Sequence, residues 1–264
     1  MGSYAGLPAE SGVATPRPQP PLKSFGRLVL TVRGHRGNTS VDFPACQADL
    51  TVVFASREDA GRQLGDWLLG REIKVDLVIG LPRGGVVVAA EIAHVLHRPL
   101  DVLIVRKIGH PLFREFALGA LAEGGVVVLD DKSAGAKYGL EDQFSDVIHE
   151  EQERLKEYQS RFHAGKLGLS LKSVLLVDDG LATGATTEAA VRSAFKQGAR
   201  SVTVTAPVGS VHAVERLQQF SDAVEVMVVD PDFEAVGRYY ESFPQTTDEE
   251  VLELLTQETN RLSR

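Results

Sequence analysis

Residues 174–186 have the sequence Val-Leu-Leu-Val-Asp-Asp-Gly-Leu-Ala-Thr-Gly-Ala-Thr, and they are the most informative part of this chain. The first four residues are apolar and predict a buried β-strand. Residues 187–197 contain many good helix formers, so a helix is expected there. The residues from Thr183 to Thr186 therefore lie at a strand-to-helix turn.

The chemistry of this turn suits a phosphorylated sugar. Backbone N–H groups at the start of a helix, together with the hydroxyls of Thr183 and Thr186, can hold a phosphate. Asp178 and Asp179 end the strand and can accept hydrogen bonds from two neighbouring hydroxyls, as on a ribose. The alternative is an ordinary strand–turn–helix with chance acids, but adjacent carboxylates at the end of an apolar strand are costly without partners. The residues thus predict a ribose 5-phosphate site.

The stretch resembles the 5-phosphoribosyl-1-pyrophosphate (PRPP) signature of the type I phosphoribosyltransferases, and it fills every position of that pattern. The resemblance implies that Asp178 and Asp179 bind the ribose hydroxyls and take part in catalysis. It also implies a 5-phosphate loop that consists of Leu181, Ala182, Thr183, Gly184, Ala185 and Thr186. Mg²⁺ would arrive bound to PRPP, because this ion keeps water and substrate oxygens around it and needs no protein cage.

The composition of the chain limits which other classes of function are possible. The chain has 264 residues, is 43% hydrophobic and carries a formal net charge of −8. These values suit one sizeable core and argue against nucleic-acid partners. The single cysteine, Cys46, allows no intrachain disulfide, and no protein-built metal site is expected. No targeting signal or bilayer-spanning segment is visible, so the sequence predicts a cytoplasmic protein without a membrane partner.

The pattern of apolar residues alternates between strands and helices. Continuous apolar strands that alternate with helices predict an α/β fold, with a parallel sheet covered by helices on both faces. Strands are predicted at 75–79, 100–105, 126–129, 174–177, 202–206 and 224–229, and helices at 57–69, 86–96, 144–162, 187–197 and 211–220. Ligands of such sheets bind beyond the carboxyl ends of the strands, where every motif of this chain falls.

The chain is predicted to divide into four parts. These are a disordered Pro-rich tail (1–22), an N-terminal extension (23–52), a phosphoribosyltransferase core (53–229) and a C-terminal segment with a small hood and a helix (230–264). Within the extension, residues 27–33 and 49–54 could pair as a hairpin. A homodimer is expected, and the apolar face of helix 144–162 packs on the core or contributes to a subunit interface.

The loop Gly80-Leu81-Pro82-Arg83-Gly84-Gly85 follows the first strand of the predicted core. Glycines allow the backbone to approach an anion closely, and Arg83 adds a cation with forked donors. Alone this is a weak signal, because many turns contain Gly and Pro. By resemblance the loop binds pyrophosphate through Arg83, Gly84 and Gly85, and Arg83 is a catalytic residue. A non-proline cis peptide bond, if present, would precede Arg83.

Arg106 and Lys107 follow the predicted strand 100–105. A solvated basic turn would be the better interpretation if the other motifs were missing. By resemblance both side chains neutralise pyrophosphate, Lys107 takes part in catalysis, and residues 111–123 belong to a flexible lid that excludes water. Glu123 is a candidate contact for the acceptor, and a turn residue is the alternative.

Aromatic residues follow the last predicted strand, and a capping-box pattern at 247–250 predicts a final helix. By resemblance to purine phosphoribosyltransferases, Phe233 would stack on the acceptor, whereas packing at the domain edge is the alternative. Hypoxanthine-type enzymes carry an acid/base Asp at the position of Ala182, so oxopurine transfer is disfavoured.

These motifs favour a phosphoribosyltransferase that transfers the 5-phosphoribosyl group from PRPP to a nucleobase-like nitrogen acceptor and releases pyrophosphate. The alternative is a regulatory protein that senses PRPP without turnover. A competent acceptor pocket and the lid cations would distinguish the two.

Overall fold

The computed structural model describes residues 31–32, 53–113, 117–129, 141–162 and 168–262. Its strands are β1 (Thr31–Val32), β2 (Leu77–Gly80), β3 (Leu100–Val102), β4 (Val105–Gly109), β5 (Ala117–Ala122), β6 (Val126–Leu129), β7 (Ser173–Val177), β8 (Ser201–Ser210) and β9 (Ala223–Asp230). Its α-helices are α1 (Arg57–Gly70), α2 (Gly84–Leu96), α3 (Glu141–Phe162), α4 (Ala185–Lys196), α5 (Val211–Gln218) and α6 (Asp248–Leu262). A 3₁₀ helix spans Val236–Tyr239.

Six strands form the central sheet, in the order β1-β9-β8-β7-β2-β3. The pairs from β9 to β3 are parallel, and β1 runs antiparallel to β9 at the edge. β7 pairs on one side with β2, through Val177 and Gly80, and on the other with β8, through Val177 and Thr205. The predicted parallel sheet is confirmed, and the strand that carries residues 174–177 lies inside it.

Helices cover the sheet on both faces. Leu175 and Val177 of β7 pack in one apolar cluster with side chains of α1, α2 and α6. Val174 and Leu176 point the other way and pack with α4 and α5, because successive side chains of a strand alternate between the two faces. All four are nearly inaccessible to solvent, at 0–1% exposed. This two-sided burial explains why the strand is apolar throughout.

The predicted helices are present as α1 to α5, with ends shifted by at most three residues. The Ser56 side chain caps α1 by accepting a hydrogen bond from the Asp59 N–H at 3.3 Å. The predicted capping box of the final helix is also present. The Thr247 N–H donates to Glu250 Oε2 at 2.7 Å, and the Glu250 N–H donates to Thr247 Oγ1 at 3.1 Å.

The structure corrects the prediction for residues 100–129. Strand 100–105 divides between β3 in the main sheet and β4, which starts a separate antiparallel sheet with β5 and β6. Strand 126–129, predicted as part of the parallel sheet, is β6 of this second sheet. The reason is loop length: only residues 123–125 separate β5 from β6, and a parallel connection needs a dozen or more residues.

The second sheet also corrects the prediction of a flexible lid at residues 111–123. Residues 117–122 form β5, which pairs with β4 on one side and β6 on the other, and five of its six residues are buried. They are therefore a packed strand rather than a flexible loop. Residues 114–116 lie outside the described residues.

Little of the N-terminal region is described. Residues 1–22 and most of 23–52 lie outside the described ranges, so the tail, the hairpin and the four-part division stay predictions. Thr31 pairs with Glu225, which adds a short strand to the main sheet beside β9. None of the helices in the described part of the chain has the length and apolar character needed to cross a membrane.

Candidate active site

A cavity of about 460 Å³ lies beyond the carboxyl ends of β2 and β7. Its lining combines the loop after β2, the whole turn after β7, two residues of β5 and parts of the C-terminal segment. The lining residues are Arg57, Leu81, Pro82, Arg83, Gly84, Lys107, Ala117, Gly119, Asp178, Asp179, Gly180, Leu181, Ala182, Thr183, Gly184, Ala185, Thr186, Thr187, Val236, Gln245 and Thr246. The structure thus brings the predicted ribose and 5-phosphate residues together with Arg83, Gly84 and Lys107, whereas the predicted pyrophosphate residues Gly85 and Arg106 are not part of this lining.

The turn between β7 and α4 presents the start of a helix to this cavity. Gly184 precedes α4 with φ +75°, in the left-handed region that glycine adopts without a steric penalty. Leu181 anchors the turn, since its N–H donates to the Val208 carbonyl at 2.9 Å. The Ala185 N–H donates a long hydrogen bond to Thr183 Oγ1, at 3.4 Å. The Thr186 and Thr187 N–H groups, which follow in the first turn of α4, have no acceptor among the described residues and are available for an anion.

The surroundings of the Asp178 carboxyl group change its pKa. Its Oδ1 accepts a hydrogen bond from the Asp179 N–H at 2.9 Å, and Thr187 Oγ1 lies 3.5 Å from its Oδ2. Burial first, and the nearby Asp179 carboxylate second, raise the pKa of Asp178 from 3.8 to about 8. The Lys107 cation lowers the pKa of Asp178 and so offsets part of this increase.

Asp179 is held by an ion pair that the sequence analysis missed. Arg57 Nε donates to Asp179 Oδ2 at 2.7 Å, and the two side chains are 10% and 16% exposed. Arg57 Nη1 also donates to the Pro244 carbonyl at 2.6 Å, and its guanidinium lies 3.7 Å from the centre of the Phe243 ring. The Tyr240 hydroxyl donates to the Asp179 carbonyl at 2.6 Å. The C-terminal segment therefore holds Asp179 through both its side chain and its backbone.

One feature of the sequence could have indicated Arg57. It is the first residue of α1, and a positive charge in the first turn of a helix is disfavoured by the helix dipole. A buried cation at that position needs a compensating anion, which Asp179 supplies.

Gly84 is required by this ion pair. A Cβ atom on Gly84 would lie 2.1 Å from Asp179 Oδ2 and 2.7 Å from Arg57 Nε. The neighbouring Gly85 is similarly confined, since its Cβ would lie 2.8 Å from the Val177 carbonyl. The peptide bond between Pro82 and Arg83 is cis, at the position expected from the sequence. The glycines thus allow the loop after β2 to lie directly against the end of β7.

The predicted cations take different positions. Arg83 and Lys107 are exposed side chains that line the cavity. Arg106 does not line it, because its Nε donates to Glu151 Oε2 at 2.9 Å and its guanidinium lies 5.2 Å from the centre of the Tyr158 ring. All three cations line a neighbouring cavity of about 400 Å³. The pyrophosphate role of Arg106 stays a prediction.

The C-terminal helix approaches the loop after β2 through Asp248. Arg83 Nη1 lies 3.6 Å from Asp248 Oδ1, and Arg161 Nη1 contacts Asp248 Oδ2 at 2.6 Å. Among the described residues, the ion pair of Arg83 is this long contact with Asp248. Because the Arg83 side chain also lines the cavity, it can contact an anion bound there.

The structure does not bring Glu123 and Phe233 to this cavity, although both were predicted as acceptor contacts. Glu123 is 1% exposed, and its Oε1 accepts a hydrogen bond from the Ile104 N–H at 2.7 Å. The Phe233 ring stacks on Tyr239, with ring centres 5.4 Å apart. Neither residue belongs to the described lining of the cavity. The packing alternatives fit both residues better, and their acceptor roles stay predictions that the geometry does not favour.

Comparison with known proteins agrees with this geometry. A family model described as "Phosphoribosyl transferase domain" matches residues 55–238. A Mycobacterium tuberculosis H37Rv protein named "Putative phosphoribosyl transferase" is 41% identical over 206 residues, which are 77% of this chain and 46% of that protein. The chain thus spans about half the length of the curated relatives it matches.

The crystal structure of TT1426 from Thermus thermophilus is also similar, with 41% identity and a TM-score of 0.63 over 78% of this chain and 99% of that chain. The mostly parallel sheet between helices is the type I phosphoribosyltransferase fold. This chain belongs to the phosphoribosyl transferase domain family. The family and fold predicted from the sequence are therefore confirmed.

Proposed function

We propose that this protein is a PRPP-dependent phosphoribosyltransferase, which displaces pyrophosphate from PRPP with a nitrogen atom of a nucleobase-like acceptor. The main support is one cavity lined by two adjacent carboxyl groups, by the start of α4 and by the cations Arg83 and Lys107. These three groups match the ribose, the 5-phosphate and the pyrophosphate of PRPP. The cavity volume of about 460 Å³ lies within the usual range for small-molecule sites.

The phosphate end of the ligand would bind at the turn after β7. The first N–H groups of α4 and the hydroxyls of Thr183 and Thr186 would donate hydrogen bonds to the 5-phosphate. The ribose hydroxyls would then donate to Asp178 and Asp179, which follow the same strand. This arrangement fixes the anomeric carbon relative to the protein, so that positioning contributes to catalysis.

Charge stabilisation would come from the two sides of the cavity. Arg83 and Lys107 would stabilise the negative charge that develops on the departing pyrophosphate. The Asp179 carboxylate, oriented by Arg57, would lie near the positive charge that develops on the ribose ring. The displacement breaks the bond between the anomeric carbon and the pyrophosphate oxygen and forms one to the acceptor nitrogen. It requires no covalent enzyme intermediate.

The residues of this site are compatible with Mg²⁺ that binds together with PRPP. Asp178 and Asp179 offer carboxyl oxygens, which suit a hard cation. Among the described residues, no group of three or more His, Cys, Asp or Glu side chains is arranged to hold a metal ion. Asp178 and Asp179 are the residues that would hold Mg²⁺ when it enters with PRPP. The ion would neutralise phosphate charge.

The proposal is tested by measuring PRPP binding in a calorimeter and pyrophosphate release across a panel of nucleobases and other nitrogen heterocycles. We expect PRPP to bind with Mg²⁺, and at least one acceptor to stimulate release. Tight PRPP binding without release by any acceptor would instead favour a PRPP-sensing regulator. Absence of PRPP binding would contradict both functions. The homodimer and the cytoplasmic location stay predictions.

A further inference from the structure

Asp248, the first residue of α6, lies between two arginines that come from other parts of the chain. Its Oδ2 contacts Arg161 Nη1 of α3 at 2.6 Å, and its Oδ1 lies 3.6 Å from Arg83 Nη1 in the loop after β2. The Asp248 side chain is 13% exposed, whereas the side chains of Arg161 and Arg83 are 44% and 42% exposed. A largely buried carboxylate thus connects the C-terminal helix to one of the cations proposed to bind pyrophosphate.

One oxygen of this carboxylate lacks a hydrogen bond. Asp248 Oδ1 is buried, yet it accepts no hydrogen bond from the described residues, and a buried acceptor without a partner is costly. Its 3.6 Å separation from Arg83 Nη1 exceeds the usual length of a charge-assisted hydrogen bond, which is about 2.7–2.9 Å. A movement of the Arg83 guanidinium by about 1 Å would therefore supply the missing donor.

The position of Asp248 at the start of a helix does not by itself explain this arrangement. The helix dipole favours acidic side chains in the first turn, and Asp248, Glu249 and Glu250 all occupy that turn. Glu249 and Glu250 are exposed residues, and Glu250 completes the capping box with Thr247. Asp248 differs from both, because its side chain is largely buried and faces Arg83.

The charge of Asp248 is balanced on the side away from Arg83. Arg161 contacts Asp248 Oδ2 at 2.6 Å and also contacts Glu249, whose side chain is 70% exposed and therefore screened by solvent. Because Arg161 compensates the Asp248 carboxylate, Asp248 can hold Arg83 without cancelling the attraction of Arg83 for an anion. A guanidinium carries several N–H donors, so a hydrogen bond at Nη1 leaves the others for a ligand.

We propose that Asp248 is a positioning residue for Arg83. When pyrophosphate enters the cavity, Arg83 Nη1 donates to Asp248 Oδ1, and this contact directs the remaining donors of the guanidinium toward the anion. An arginine that is already held loses less conformational entropy on binding, so the affinity for pyrophosphate is higher. The inference rests on the proposed function, since it takes Arg83 as a ligand of pyrophosphate. It adds a residue of the C-terminal helix to which the sequence analysis assigned no role in binding.

Calorimetry with pyrophosphate and with ribose 5-phosphate, each in the presence of Mg²⁺, tests this role. Asp248→Ala should weaken pyrophosphate binding roughly tenfold, the usual effect of one lost hydrogen bond to a charged group, and should leave ribose 5-phosphate binding unchanged. Asp248→Asn keeps an acceptor oxygen but not the charge, so it should weaken pyrophosphate binding less than Asp248→Ala does. This graded loss is the rescue expected of a residue that acts through Arg83.

A double variant separates positioning from a purely structural role. In Arg83→Ala, the further substitution Asp248→Ala should cause no additional loss of pyrophosphate affinity, because the group that Asp248 orients is already absent. Glu249→Gln is the matched control. Glu249 also contacts Arg161 at 2.6 Å, but among the described residues it is not an ion-pair partner of Arg83. It should bind both ligands as the wild type does.

Unchanged pyrophosphate binding by Asp248→Ala would overturn the inference. Tighter binding would do the same, since it would show that Asp248 competes with the anion for Arg83. Equal weakening of pyrophosphate and ribose 5-phosphate, or an additive loss in the double variant, would also overturn it. In these cases, binding of both ligands by the wild type would leave the proposed function standing. Failure of the wild type to bind either ligand would instead overturn the proposed function, and the role of Asp248 with it.

Discussion

Arg57 and Asp179 lie 122 positions apart in the chain, and the Arg57 Nε donates to Asp179 Oδ2 at 2.7 Å in a pair that is largely buried. The pair joins the first residue of α1 to the second carboxylate of the proposed ribose site. It orients that carboxylate and balances its charge before any ligand binds. The proposed ribose site thus includes an ion pair with a residue outside every motif that the sequence analysis identified.

Arg57→Ala should weaken PRPP binding and destabilise the fold. Removing one partner of a buried ion pair typically costs about 3–5 kcal/mol, because the other charge is left without compensation. Arg57→Lys should have a smaller effect, since a lysine keeps the charge but lacks the forked geometry that contacts Asp179 and Pro244 together. Urea unfolding and calorimetry with PRPP measure both effects.

Arg62→Ala is the control for this prediction. Arg62 lies in the same helix, but its side chain is 55% exposed and its nitrogen lies 3.7 Å from Glu91. Such surface pairs contribute at most about 1 kcal/mol. If Arg57→Ala behaved like Arg62→Ala in both measurements, the Arg57–Asp179 pair would have no functional importance.

Gly84→Ala should disrupt the same ion pair without removing any of its atoms. The added Cβ would lie 2.1 Å from Asp179 Oδ2, so the carboxylate or the loop must move. We expect a lower melting temperature and PRPP affinity reduced by roughly tenfold or more, comparable to the loss of one charge-assisted hydrogen bond. Gly70→Ala is a matched control, because nothing lies within 4 Å of its Cβ position. Equal behaviour of the two variants would contradict this interpretation of Gly84.

The unliganded protein should lose stability as the pH rises through the neutral range. The pKa of Asp178 is raised from 3.8 to about 8, so between these values the folded protein keeps a proton that the unfolded chain releases. The contribution of this group is complete below pH 3.8 and is lost as the pH rises to about 8. The free energy of unfolding, measured by urea titration with EDTA present, should therefore decrease across this window.

Asp178→Asn should make that pH dependence shallower, because asparagine does not titrate. The exposed Asp66 of α1 provides the control, and Asp66→Asn should keep the wild-type slope. An unchanged slope in Asp178→Asn would show that another group is responsible.

Lys107→Ala should weaken the binding of the pyrophosphate part of PRPP but not that of the ribose 5-phosphate part. Lys107 is an exposed residue of β4 that lines the cavity, and it does not belong to the turn that would bind the 5-phosphate. We expect PRPP and pyrophosphate to bind roughly tenfold more weakly, while ribose 5-phosphate binds nearly as in the wild type. Lys156→Ala, which removes an exposed lysine of α3, should leave all three unchanged. Equal weakening of all three ligands by Lys107→Ala would contradict the assignment to pyrophosphate.

The parts of the site that the sequence predicted are those encoded over short distances. Asp178 and Asp179 end a strand that is buried on both faces, and the helix follows within a few residues. The apolar run, the two acids, the glycine and the helix formers are neighbours in the sequence, so local patterns are enough to predict this part of the site. The glycines after β2 were predicted for the same reason, although their closest neighbours proved to be Asp179, Arg57 and the end of β7.

The parts that escaped prediction depend on distant or competing contacts. The Arg57–Asp179 pair joins separate regions of the sequence, and no local pattern specifies it. The acceptor role of Phe233 stays a prediction: aromatic rings serve both binding and packing, the sequence leaves both open, and the contact with Tyr239 is visible only in the fold. The strand at 126–129 is predicted in the wrong sheet, because its antiparallel partner β5 lies within the residues that the sequence assigned to the lid.

The hydrogen bond from Arg57 to the Pro244 carbonyl spans 187 positions of the chain. A nascent polypeptide therefore cannot complete the Arg57 contacts with both Asp179 and Pro244 until the residues around Pro244 have emerged from the ribosome. Contacts between distant segments form late and slow the folding of a domain. A ligand that binds only after these contacts have formed will stabilise the folded protein relative to incompletely folded chains. The proposed ribose site therefore forms only after the segments around Arg57 and Pro244 have come together, and a ligand bound there would favour the folded protein.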